Sequence, residues 1–152
     1  MRIVLLLLCC CLPVFGEGFS GVVIDVHDGD TVTVQEKDGG TIHKVRLEHI
    51  DAPELKQDLG KESQLYLSKR VKGQVVEVEV STKDKYSREV GEVYYRGESI
   101  NLRQVMGGYA WHYKGYSKEV RFAKAETFSR EQKRGLWNTK DPIAPWDFRK
   151  KK

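Results

Sequence analysis

The chain has 152 residues, 26 Lys and Arg against 22 Asp and Glu, and a net charge of +4, with 39% hydrophobic and 32% charged residues. That balance excludes a disordered chain, and the length suits one domain with a real core. The excess of positive charge permits a polyanionic partner without requiring one.

The first predicted element is a leader. Met1-Arg2 precedes an apolar run over residues 3–12, which exits through Pro13-Val14-Phe15-Gly16. A positive start, a short apolar run and a small-residue exit read as a secretory signal covering residues 1–16, cleaved after Gly16. The run is roughly half of the ~20 residues that cross a bilayer. A lipoprotein signal on Cys9, Cys10 or Cys11 ranks second, because Leu or Cys precedes each of them. All three cysteines lie in this leader. The mature chain, residues 17–152, is therefore expected to be secreted or periplasmic, with no disulfide, no thiolate metal site and no stable membrane association.

Residues 18–27 contain Val22-Val23-Ile24-Asp25-Val26, a strand. Asp28-Gly29 marks a bend, residues 31–36 form a second strand, Lys37-Asp38-Gly39-Gly40 a hairpin turn, and residues 41–50 a third strand stopped by Pro53. Residues 55–60 read as a loop and 61–72 as a helix with Leu67 and Val71 on one face, ended by Gly73. Residues 74–81 alternate as a half-buried strand, and 88–95 form the fifth. Residues 101–106 are a short helix with Leu102, Val105 and Met106 on one face. Residues 118–134 are the longest, with Phe122, Ala125 and Phe128 at helical spacing. Trp137 and Trp146 suggest that the tail docks on the body, ahead of a basic, solvated run over residues 149–152. The expected architecture is α+β, mainly β: a five-stranded OB-fold barrel with three helices.

The stretch from Asp28 to Glu54 concentrates the chemistry. Asp28 and Asp30 lie at one end of a hairpin, Asp51 and Glu54 at the other, and Arg46 in the returning strand. Each motif alone is ordinary turn chemistry: Asp-Gly is a common hairpin turn, and Asp often precedes Pro. Together they bracket one hairpin, which brings the acids to one place, and converging carboxylates suit a hard divalent ion. Arg88 enters a later strand behind Asp84-Lys85-Tyr86-Ser87. One metal site, one spare carboxylate and two guanidinium groups can attack a phosphodiester: the ion neutralises the phosphate, the arginines grip its oxygens, and the carboxylate activates water. The histidines at 27, 43, 49 and 112 have no metal-ligand spacing.

Asp28-Gly29-Asp30-Thr31-Val32, Arg46-Leu47, Ile50-Asp51-Ala52-Pro53-Glu54 and Asp84-Lys85-Tyr86 with Arg88 resemble the staphylococcal (micrococcal, thermostable) nuclease family, over nearly all of the mature chain. The resemblance implies an exported, monomeric, calcium-dependent hydrolase of DNA and RNA that prefers single strands and leaves 3′-phosphates. It implies Asp30 and Asp51 as calcium-binding carboxylates, with the Ala52 carbonyl as a further ligand. Arg46, Glu54 and Arg88 would be the catalytic trio. Lys85 and Tyr86 would contact a nucleotide phosphate, and Trp111 and Tyr113 would wall the base. The chain departs from the family pattern at Ala52, at Ser87, in a longer hairpin loop and in a shortened loop after Glu54. The alternative from another class is an inactive nuclease-like module that binds nucleic acid or protein.

Overall fold

The computed structural model describes residues 17–151, so the leader read over residues 1–16 lies outside the described residues. In chain order the elements are β1 (Gly18–Val26), β2 (Thr31–Glu36), β3 (Ile42–Leu47), β4 (Ile50–Asp51), α1 (Gly60–Val71), β5 (Val75–Lys83), β6 (Glu89–Tyr95), β7 (Glu98–Ser99), α2 (Ile100–Met106), β8 (Trp111–His112), α3 (Val120–Glu131) and α4 (Pro145–Lys150). Antiparallel neighbours run β3-β2-β1-β5-β6, and a parallel pairing of β3 with β6 closes the sheet into a five-stranded barrel. The short β4 pairs with β8.

Alternation explains the barrel. Val23, Val26, Val32, Val34, Val45, Leu47, Val76, Val78 and Val93 point inward and are buried. A register shift between Val23 and Asp25 turns Ile24 out to 41% exposure. Leu67 and Val71 of α1, Ile100 and Val105 of α2, and Phe122 and Ala125 of α3 cover the core. A second, smaller cluster joins Trp111, Leu136 and Ala144, with Trp137 and Trp146 packed against it. The tail therefore docks through the two tryptophans, as their presence suggests.

Four differences from the sequence reading have physical causes. The third strand breaks after Leu47, because His49 sits at φ 70°, outside the extended region. The last long helix is shorter than 118–134: Lys133 adopts φ 49°, and the chain leaves the helix at Gln132. Phe128 sits at helical spacing but lies outside the buried stripe, 39% exposed. A fourth helix, α4, forms where a basic tail is expected, with Pro145 at its first position and Asp147 in its first turn.

Candidate active site

The bend before β2 is tightly built. The Asp28 carboxylate accepts the Asp30 N–H (2.9 Å), and the Gln104 side chain donates to the Gly29 carbonyl (2.7 Å). A Cβ on Gly29 would lie 1.8 Å from Ser63 Oγ, so only glycine lets α1 approach here. This packing fixes Asp30. One of its oxygens accepts the Ala52 N–H (2.6 Å), the other the Thr31 hydroxyl (3.1 Å). The two ends of the hairpin are thereby tied together, as the spacing of the acids predicts.

Arg46 lies between the acids. Its guanidinium donates to the carbonyls of Leu47 (2.7 Å) and Ile50 (2.9 Å), and one nitrogen is 3.2 Å from Asp51 and 3.3 Å from Asp30. Asp30 and Asp51 are both buried. Burial pushes the Asp30 carboxyl up to about 7, against the pull of Arg46 and with the push of Asp28. Burial also raises Asp51.

Because Asp30 sits above the ordinary carboxylate value in the folded state, losing its proton costs stability as the pH climbs from about 4 to 7. In chelator, the melting temperature is expected to fall between pH 5 and pH 8, and Asp30→Asn to flatten that fall by on the order of 5 °C. Thermal denaturation at the two pH values checks this.

Glu54 follows Pro53 and is fixed by a tight loop. Its N–H donates to the Gln57 side chain (3.1 Å), its carbonyl accepts the Gln57 N–H (2.8 Å), and a Cβ on Gly60 would lie 2.0 Å from that carbonyl. The short loop expected after Glu54 is therefore closed on itself. Glu54 reaches the other acids through Arg149 of α4, which donates to it (2.9 Å) and to both oxygens of Asp51 (3.2 and 2.7 Å). The sequence reads the basic run as solvated; instead Arg149 docks in the centre of the acids. Its pKa is raised, chiefly by the hydrogen bonds to Asp51.

The remaining predicted residues are more dispersed. Arg88 ends the loop just before β6, two residues ahead of Val90, which pairs with Arg46. The Arg88 side chain, however, engages Asp84 (2.7 Å), whose other oxygen accepts the N–H groups of Tyr86 (2.9 Å) and Arg88 (3.0 Å). Ser87 takes φ 61° in this turn, a conformation that glycine adopts more cheaply. Tyr86 is 68% exposed, with Lys85 and Arg88 over its ring. Trp111 is buried in the second cluster, while Tyr113 is half-buried and stacks on Trp146 (centroids 5.3 Å apart, planes 5°). Ala52 engages Asp30 through its N–H.

Sequence reasoning missed Asp84, Gln104, Ser63 and Arg149. Asp84 stands in the quoted motif with no role read for it, Gln104 and Ser63 act through contacts that no motif announces, and Arg149 meets partners 98 and 95 positions away.

The donor set suits a hard cation. Two buried carboxylates converge, and every side-chain ligand they offer is oxygen. Among the described residues no group of three or more His, Cys, Asp or Glu side chains is gathered as a metal cage. An ion here would draw its other ligands from backbone and water.

A family model described as staphylococcal nuclease homologue matches residues 44–139. An "uncharacterized endonuclease" of Escherichia coli O157:H7 is 38% identical over 141 residues, covering 92% of this chain and 91% of that protein. One of the same name from Haemophilus influenzae is 39% identical over 128 residues, covering 84% and 71%. "Staphylococcal-like nuclease CAN1" of Arabidopsis thaliana is 40% identical over 109 residues, covering 72% of this chain and 34% of that longer protein.

Proposed function

The chain belongs to the staphylococcal nuclease homologue family, and from that premise we propose that it is an exported, calcium-dependent nuclease hydrolysing phosphodiester bonds of both DNA and RNA. The observation that carries this reading is Arg46 fixed between the buried carboxylates Asp30 and Asp51, with Glu54 beside them.

Asp30, Asp51 and the Ala52 carbonyl would hold the ion. When bound, calcium supplies positive charge that neutralises and polarises the phosphate. Arg46 donates hydrogen bonds to the nonbridging oxygens and stabilises the charge that builds on them. Arg88, presented by Asp84 at the exposed rim, grips the same phosphate from the other side. Glu54 takes a proton from the attacking water. The new P–O bond forms as the bond to the 5′ oxygen breaks, and that oxygen takes up a proton, leaving a 3′-phosphate and a 5′-hydroxyl. Lys85 and Tyr86 contact a neighbouring phosphate, while Tyr113, backed by the buried Trp111, is the aromatic face on which an unstacked base would stack, which favours single strands. The leader over residues 1–16 supports export.

Glu54→Ala is expected to lower kcat by about 10²-fold or more, while calcium-dependent nucleotide binding persists. Steady-state cleavage and calorimetric titration with a nucleoside bisphosphate check both halves. Full activity in this variant removes Glu54 from the chemistry.

A further inference from the structure

Arg149 takes both oxygens of Asp51 and one of Glu54. These are the oxygens that the proposed nuclease needs for its cation and its water. Three residues earlier on α4, Trp146 stacks on Tyr113 and meets Trp111 edge-on (centroids 5.6 Å apart, planes 71°). One six-residue helix therefore sets an aromatic ring where a base would stack and a guanidinium where a cation would sit.

We propose that α4 is a built-in cap on the site, with Arg149 and Trp146 holding it closed, and that the divalent cation and the nucleotide bind as it lifts away. The proposal rests on the nuclease reading above and adds a segment beyond the matched family region, residues 44–139, to it.

The contact is built to be reversible. The Arg149 side chain is 39% exposed and its pair with Glu54 (36% exposed) is open to water, while its partner Asp51 is buried. A helix of six residues is unstable on its own and holds only while docked. Its anchors include Trp146 on the aromatic cluster, Arg149 on the acids, the buried Ala144 and Pro145 at its start, and the Gln57 side chain donating to the Ile143 carbonyl just before it, with Phe148 engaged as well. Lys150 and Lys151, beside Arg149, are exposed. A polyanionic substrate therefore attracts the lifted segment and favours the open state.

If the docked state is populated about nine times in ten, the apparent affinity for calcium is reduced about 10-fold. Two full-length variants test this by calorimetric calcium titration. Arg149→Gln removes the competing cation, and Trp146→Ala loosens the helix without altering any charge. Both are expected to bind calcium about 10-fold more tightly than the unaltered protein. In the unaltered protein, saturating calcium is expected to speed amide hydrogen exchange across residues 146–150.

Tighter binding by Arg149→Gln alone, with Trp146→Ala at the unaltered value, reduces Arg149 to a nearby charge and overturns the cap. Unchanged affinity in both variants, or unchanged exchange across α4, overturns it too and leaves the nuclease reading standing if calcium still binds and supports cleavage. No calcium binding in any of the three proteins removes the nuclease reading and the cap with it.

Discussion

Arg46→Ala is expected to lower kcat by about 10²- to 10³-fold and to destabilise the fold in the same stroke. The guanidinium is held by two backbone carbonyls and two carboxylates, with its side chain only 15% exposed. It is aimed before substrate arrives and costs no reorganisation in the transition state. It also separates Asp30 from Asp51, two buried acids that repel. Removing one partner of a buried pair typically costs about 3–5 kcal/mol. Proton uptake by Asp30 recovers part of that, more at pH 5 than at pH 8. Arg46→Lys separates the two effects: the charge and much of the stability return, while the two-pronged grip on phosphate does not. Denaturant unfolding and steady-state kinetics on both variants read the two quantities independently. An Arg46→Ala protein that unfolds like the unaltered one would mean that the acids do not depend on it.

Asn101→Ala is expected to cost about 3–5 kcal/mol of stability, the largest loss from a residue with no part in the chemistry. Asn101 is fully buried at the start of α2. Its oxygen accepts the Val93 N–H, and its amide donates to the carbonyls of Glu48 and Gly91, each at 3.0 Å. Three segments meet on this side chain: β6, α2 and the turn that leads into β4. Alanine strips partners from buried backbone groups, at about 1–3 kcal/mol for each group left bare. The Gly91 carbonyl keeps the Glu48 N–H, so the loss there is smaller. Urea denaturation measures the change. Because the turn carries Ile50 and Asp51, turnover is expected to fall as well. A cost below about 1 kcal/mol would show that water replaces the amide.

These two residues mark where the sequence is legible. The five barrel strands show as alternation, because each has one buried face: Val76 and Val78 inward, Glu77 and Glu79 outward. The acid pair shows because a hairpin must bring its ends together, and Asp30 does meet Ala52 across 22 positions. The parallel closure of β3 on β6 does not show, since it joins Val45 to Glu89 through no local signal. Nor does the break at His49, where the backbone turns to φ 70° while the side-chain pattern runs on.

Asn101 looks like any polar residue at the start of a helix. A run of Arg149-Lys150-Lys151-Lys152 looks solvated because short-range patterning carries no trace of acids almost a hundred positions away. The tryptophans did signal that the tail docks; which of its charges docks with them depended on geometry. The pairing of Arg88 with Asp84, four positions back, shows only in the structure.

The most direct test is cleavage by the chain from Glu17 onward. Single-stranded DNA, duplex DNA and RNA would each be incubated with calcium and with chelator, and the product ends identified. Cleavage of all three with calcium only, single strands fastest, leaving 3′-phosphate ends, is the predicted result. Cleavage that persists in chelator, or binding without cleavage under every condition, would contradict the assignment of Asp30, Asp51 and Arg46 to a calcium-dependent hydrolysis.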